Sequence, residues 1–307
     1  MELIRPNTNF DFIGKRRAFA AVSVALIVLS FVLLALKGGP RYGVDFEGGT
    51  IVQLKFDRPA PLAQIREALS ALDLGDYSLQ EYGSPEEALV RVRKAEDETG
   101  GETRAQLVEG ALRKAFAQSF TVERVETVGP KVGGDLRQKA LLAILYSLVG
   151  LLIYITLRFE FRFGVAAIMA LAHDTIITIG AFSLLDKEMT LTVVAAILTL
   201  IGFSLNDTIV VFDRIRENLR LKRGMALTDL INLSVNQTLS RTILTSGTVF
   251  LVVVALFFIG GEVIHDFAFA MLVGVVVGTY SSVFIASPIL ILWDEYANNR
   301  RANPARR

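Results

Sequence analysis

Six apolar runs constrain what this 307-residue chain can fold into. They span Arg17–Leu36, Ala140–Leu157, Gly164–Leu185, Thr190–Phe212, Arg241–Ile259 and Phe267–Trp293. Each is close to the ~20 residues that carry a helix through the hydrocarbon core of a bilayer. In hydrocarbon a backbone must satisfy its own hydrogen bonds, and a lone segment can do so only as a helix. Hydrophobic residues make up 52% of the chain, which is consistent with an α-helical polytopic membrane protein. The net charge of +1 gives no global basic field, so nucleic acid is not an expected partner. There is no cysteine, which excludes disulfides and thiolate metal sites. The first run follows "GKRR" as a signal peptide would, but it is too long for one and no small-residue cleavage site follows. It is read as an uncleaved membrane helix.

Lysine and arginine set the expected orientation. Lys15, Arg16 and Arg17 precede the first run, and Arg158 and Arg162 lie between the second and third. Arg214, Arg216, Arg220, Lys222 and Arg223 lie between the fourth and fifth, and Arg300, Arg301, Arg306 and Arg307 close the chain. The short loops on the opposite side carry only Lys187. Both termini are therefore expected in the cytoplasm. The expected layout is a cytoplasmic N-terminus with helix one (1–37), an extracytoplasmic domain (38–139), helices two to six (140–293) and a basic tail (294–307).

The segment 38–139 is charged and patterned like a soluble domain. "TIVQLKF" alternates as a strand does, "YSLQEYG", "ALVRVRK" and "FTVERVETV" read as further strands, and "PLAQIREALSAL" and "TRAQLVEGALRKAF" carry helical spacing. The order is βαββαβ, the ferredoxin-like arrangement of an α+β domain. "GPKVGGD" (129–135) lacks the spacing and the Lys-Ser/Thr ending of a phosphate loop. It is expected to be a flexible hinge between the last strand and helix two.

The informative residues are the polar ones inside the runs. Asp207 follows Asn206 within the fourth run, five residues before Phe212, or about 8 Å at the helical rise of ~1.5 Å per residue. A carboxylate at a membrane-helix centre costs roughly 2.5–3.5 kcal/mol on insertion scales, and such residues mark ion or proton paths. Arg241 opens the fifth run at a depth that predicts pairing with Asp207. An arginine favours the charged carboxylate and desolvation the neutral one, so a group between them can load and release a proton. In the third run, His173 and Asp174 lie near the midplane. They are too few to bind a metal. An interhelical hydrogen bond and an extension of the proton path both remain open for them. Thr178 shares a helix face with Asp174, and Ser204 with Asp207. "GVVVG" (274–278) is a close-packing pattern, and Tyr280, Ser281 and Ser282 give the sixth run an interior polar face. His265 and Asp266 fall at the outer end of that run, where solvation suffices to explain them.

These residues carry a resemblance that covers nearly the whole chain. "YGVDFEGGT", "LRFEFRF", "HDTIITIG", "SLNDTIVVFDRIREN", "QTLSRTILTSGT" and "GTYSSVFIASP" are similar to the SecF family of bacterial protein-translocation subunits, relatives of the RND exporters. The resemblance implies a six-helix RND-like bundle in the cytoplasmic membrane and a heterodimer with SecD. It implies association with the SecY-E-G channel and YajC, and contact with unfolded preprotein on the external side. It implies no enzymatic activity and no cofactor other than an ion gradient, of protons or of sodium. The functional Asp and Arg of the family map onto Asp207 and Arg241. Two rivals are an RND-type exporter half, which usually carries a far larger external domain, and a passive assembly scaffold.

The charge asymmetry gives a direct test. Reporter fusions after Leu36 and within segment 38–139 are expected to read external, and a fusion between the fourth and fifth runs cytoplasmic. A cytoplasmic signal from segment 38–139 would overturn the layout.

Overall fold

The structure, a computed structural model, describes residues 9–72, 74, 77–93, 104–116, 120–222 and 224–302. Arg306 and Arg307 of the basic tail, and Arg223, lie outside the described residues. Helix α1 (Arg16–Leu36) leads to a short helix α2 (Val44–Glu47) and then to an α+β domain: β1 (Gly49–Phe56), α3 (Leu62–Ser70), β2 (Tyr77–Tyr82), β3 (Ser84–Arg93), α4 (Arg104–Phe116) and β4 (Phe120–Val128). The remaining helices are α5 (Pro130–Arg158), α6 (Phe161–Leu184), α7 (Leu191–Leu221), α8 (Leu227–Ile259), α9 (Glu262–Ser281) and α10 (Ser287–Ala302). A five-residue π-helical turn, Ser282–Ala286, joins α9 to α10 without a break. Six helical segments among the described residues are long and apolar enough to cross a membrane: α1, α5, α6, α7, α8 and the α9–α10 rod. The chain is a multi-pass membrane protein.

The α+β domain has the ferredoxin-like order. Its strands run β2-β3-β1-β4, all antiparallel. Alternation along β1 sends Val52 and Leu54 to one face, where Val90 and Val92 of β3 join them. Ile65 and Leu69 of α3 and Val108 and Leu112 of α4 close this core, each fully or almost fully buried. Strand β3 starts at Ser84, four residues before the apolar alternation begins. Cross-strand charge explains the difference: Glu87 pairs with Lys55 at 3.7 Å and accepts from the Gln53 amide at 3.0 Å. Gly83, at φ 70°, makes the tight link between β2 and β3.

The membrane helices extend past the apolar runs, for two reasons. At α5, residues 129–135 are not a hinge. Gly129 is extended, Pro130 sits in the first turn with its φ already suited to a helix, and the helix runs unbroken through both glycines. Gly133 is glycine because α2 lies against it: a Cβ there would meet the Phe46 carbonyl oxygen at 2.8 Å. Gly48, at φ 79°, turns the chain beside Pro130, where a Cβ would lie 2.9 Å from that ring. At α8, the polar residues 227–240 are helical because they pack on the far end of α7. The Asn218 amide donates to Ser234 Oγ and Gln237 Oε1, both at 2.8 Å, and Arg214 Nε donates to Gln237 Oε1 at 2.7 Å. Asn232 and Asn236 hold the backbone of Phe10, Phe12 and Ile13 at 2.8–3.2 Å. Arg241 is consequently well inside α8 and not at its start.

At the other end of the bundle the domain is tied to the α6–α7 loop. Gly43 N and Met189 N exchange hydrogen bonds with Met189 and Arg41 carbonyls at 2.9 and 2.7 Å. Asp45 accepts from Leu191 N at 2.8 Å, and Arg91 of β3 pairs with Glu188 at 2.7 Å. Lys37 beside Asp186, at 2.7 Å, holds that exposed carboxyl below the usual carboxylate range. Asp266 is ion-paired with Lys187 at 2.6 Å, so solvation alone does not account for it.

Gly133→Leu is expected to push α5 off α2, because the obstacle is backbone and cannot yield. The anticipated cost is about 1–3 kcal/mol, read as a lower unfolding temperature of the detergent-solubilised protein. Gly134→Leu, which faces open space, is the control and should be near neutral.

Candidate functional site: two hydroxyl-lined carboxylates within the bundle

Small residues allow α9 to lie close on α7. A Cβ on Gly274 would fall 2.4 Å from Leu200, and one on Gly278 would fall 3.0 Å from Ser204 and 3.5 Å from Asp174 Oδ2. This approach brings hydroxyls of α7 and α9 onto a carboxylate of α6. Asp174 is 1% exposed. Its Oδ2 accepts from Ser204 Oγ at 2.6 Å and from Ser281 Oγ at 2.8 Å, and its Oδ1 lies 2.9 Å from His173 Nδ1. The His173 ring stacks on Tyr280 at 6.0 Å between centroids, and its Nε2 is buried without a partner. Tyr280 donates from its hydroxyl to the Phe19 carbonyl at 2.7 Å and shares a hydrogen with Ser23 at 2.8 Å, which fastens α1 to α9.

Asp207 occupies a second site of the same kind. It is 5% exposed and accepts from Thr242 Oγ1 of α8 at 2.7 Å and from Ser282 Oγ at 2.6 Å. Ser281 and Ser282 are consecutive, so one short stretch serves both carboxylates. They stand at the point where the α-helix gives way to the π turn, and Ser287 Oγ donates to the Ser282 carbonyl at 2.9 Å across it. π turns of this kind are frequent at functional sites.

The arrangement differs from the sequence expectation in three respects. Among the described residues Asp207 and Arg241 form no ion pair within 4.0 Å; Arg241 is exposed on α8 and acts on the carboxylate only through its field. The next residue, Thr242, takes the inward position, because α8 continues beyond Arg241 and its packing face is set along its whole length. Ser204 serves Asp174 and not Asp207, and Thr178 donates to the backbone carbonyl of Asp174 at 2.8 Å and not to its carboxylate. Sharing a helix face gave too narrow a view, since the partners come from neighbouring helices. Asn206 is exposed and does not join Asp207. Thr242, Ser281 and Ser282 are the members that residue-by-residue reading of the runs did not assign to a carboxylate. The polar patch "TYSS" in an apolar run was the available signal for the two serines. Among the described residues no group of three or more His, Asp and Glu could hold a metal ion.

Chemically, each carboxylate is held by hydroxyls. A hydroxyl can donate to a carboxylate or accept from a carboxylic acid, so these partners can serve both protonation states. A guanidinium, which only donates and is always charged, strongly favours the ionised state.

Comparison with known proteins gives the same answer from several directions. A family model described as the C-terminal region of the protein export membrane proteins SecD and SecF matches residues 108–296, and one for the SecD/SecF GG motif matches residues 35–60. The second includes Gly48 and Gly49, which turn the chain beside Pro130. The chain is 49% identical to the protein translocase subunit SecF of Calditerrivibrio nitroreducens, over 95% of this chain and 96% of that one. It is 50% identical to the SecF of Magnetococcus marinus, over 96% and 95% respectively. Among solved structures it is similar to SecDF of Thermus thermophilus, described as a translocon-associated membrane protein, with a TM-score of 0.83 and 38% identity. That match covers 95% of this chain and 40% of the other, so the chain spans less than half the length of the solved SecDF protein.

Gly278→Val is expected to push Ser204 away from Asp174 and loosen α7 from α9. The loss should be about 1–3 kcal/mol in the thermal unfolding of the purified protein, with Gly278→Ala costing less.

Proposed function

Because the chain belongs to the SecD/SecF family of protein-export membrane proteins, we propose that it acts with a SecD subunit as half of an ion-driven machine that promotes preprotein translocation across the bacterial cytoplasmic membrane. The SecY-E-G channel and YajC are the associated components, and unfolded preprotein on the external side is the cargo. Both termini face the cytoplasm and the ferredoxin-like domain faces outward. The ion is the proton and its carrier in this chain is Asp207.

The observation that carries this reading is the setting of Asp207. It is buried within a membrane-crossing helix and bonded to Thr242 and Ser282, and among the described residues no ion pair neutralises it, Arg241 acting on it only through its field. A permanently charged carboxylate there would be costly, and one that titrates need not be. Arg241 and Asn206 support a role at a subunit boundary. Both are exposed polar residues on membrane helices next to the buried site, where a partner bundle would cover them. Each elementary charge moved across the membrane yields about 2.3 kcal/mol per 100 mV, enough to drive a conformational step. His173 and Asp174 form the second buried carboxylate unit of the same path.

Asp207→Asn keeps size and hydrogen bonding but cannot ionise. It is expected to abolish gradient-dependent stimulation of preprotein translocation into vesicles while leaving copurification with SecD intact. Full stimulation in Asp207→Asn would overturn the carrier role and favour an assembly scaffold. Stimulation by an imposed sodium gradient without a proton gradient would replace the proton with sodium.

A further inference from the structure

Ser282 has one hydroxyl hydrogen and two acceptors in reach. Asp207 Oδ2 lies at 2.6 Å and the carbonyl oxygen of Thr279, one turn back in α9, at 3.0 Å. Ser281 repeats the pattern, with Asp174 Oδ2 at 2.8 Å and the Gly278 carbonyl at 3.1 Å. Each hydroxyl has one hydrogen, which can point fully at only one of its two acceptors. Both stand at the last turn of regular α-helix, immediately before or at the start of the π turn Ser282–Ala286. A serine hydroxyl that bonds a carbonyl one turn back competes with the backbone ladder and often bends a helix.

We propose that Ser282 is the positioning residue that transmits the protonation state of Asp207 into the α9–α10 rod, through a choice between the Asp207 carboxylate and the Thr279 carbonyl. With Asp207 ionised, the hydroxyl hydrogen points at Oδ2. When a proton arrives on Oδ2, the new acid O–H donates to Ser282 Oγ, and the serine hydrogen turns to the Thr279 carbonyl. One proton is gained by the carboxylate, one hydroxyl rotates, and no other bond changes. The hydrogen-bond load on the last α-helical turn then differs between the two states, and the π turn beside it is the element free to absorb the difference. Ser281 links the same turn to Asp174, so the two carboxylates are read by adjacent residues. This inference rests on the reading of Asp207 as proton carrier.

Other groups facing this site are few. From α6 they are His173 and Asp174, reached through Ser281. From α9 there is Tyr280, whose hydroxyl is engaged by Phe19 and Ser23. From α8 there is Arg241, exposed beside Thr242, and from α7 Asp213 and Arg214 lie further along the helix.

The test uses the full chain with SecD in vesicles. The chain contains no cysteine, so Leu221→Cys, at the end of α7, and Leu292→Cys, in α10 beyond the π turn, both at exposed positions, can carry spin labels on an otherwise unlabelled subunit. The label–label distance distribution is expected to differ between alkaline and acidic buffer, and Asp207→Asn should hold it in the acidic form at every pH. Ser282→Ala should abolish the pH response and reduce gradient-stimulated translocation about tenfold, the size expected for losing a hydrogen bond to a charged group. Ser282→Thr, which keeps the hydroxyl, should retain both. Ser287→Ala removes a buried serine bond from the same π turn without touching a carboxylate, and should leave the pH response in place. If Ser282→Ala responds as wild type while Asp207→Asn is inactive, the transmission role is wrong and the carrier role stands. If Ser287→Ala loses the response as Ser282→Ala does, Ser282 is merely structural. If Asp207→Asn is fully active, both roles fail.

Discussion

Burial of a carboxylate in a lipid-embedded helix is the constraint on which the rest of this structure depends. Asp174 and Asp207 are both buried, and neighbouring helices supply their hydrogen bonds. This explains why small residues recur where α7 meets α9. Gly274 and Gly278 let the helices close until Ser204 and Ser281 reach Asp174. It explains the polar patch at Tyr280, Ser281 and Ser282 within an apolar run. It also explains why α1 is fastened at Tyr280, since the ring that stacks on His173 must itself be held in place.

The use of hydroxyls in place of a fixed counter-charge has a functional consequence. An Asp–Arg pair buried inside one subunit would form a stable charge pair and resist titration. Serine and threonine favour the ionised form without a fixed charge, and they can also accept from the acid. Arg241 is left exposed on α8 next to Thr242. Family membership supports a SecD partner.

The α+β domain is joined to this bundle by a firm connection. The segment Arg41–Gly43 pairs with Met189, Arg91 reaches Glu188, and α5 leaves β4 as a helix packed against α2 through Gly133. The two-glycine turn at Gly48 and Gly49 lets β1 start directly beside Pro130. Motion in the bundle therefore has a short, hydrogen-bonded route to the sheet through the α6–α7 loop and through α5.

The sequence by itself determined the elements whose signal is local. Six apolar runs gave six membrane-crossing helices, because hydrocarbon leaves a lone segment no other choice. Alternation and helical spacing in 49–128 gave β1 to β4, α3 and α4 in order, because a half-buried sheet writes its pattern residue by residue. Asp207, Asp174 and His173 stood out because ionisable residues are rare in such runs. The tertiary structure decided what each of them touches. Thr242 replaced Arg241 as the α8 partner because the polar stretch 227–240, helical only through its bonds to α7 and the N-terminal segment, sets the rotation of α8. Ser204 turned to Asp174, and residues 129–135 became helix, for the same reason: the deciding contact came from another element far away in sequence. A local pattern can mark a buried carboxylate, but the hydroxyls that satisfy it are chosen by how the helices pack.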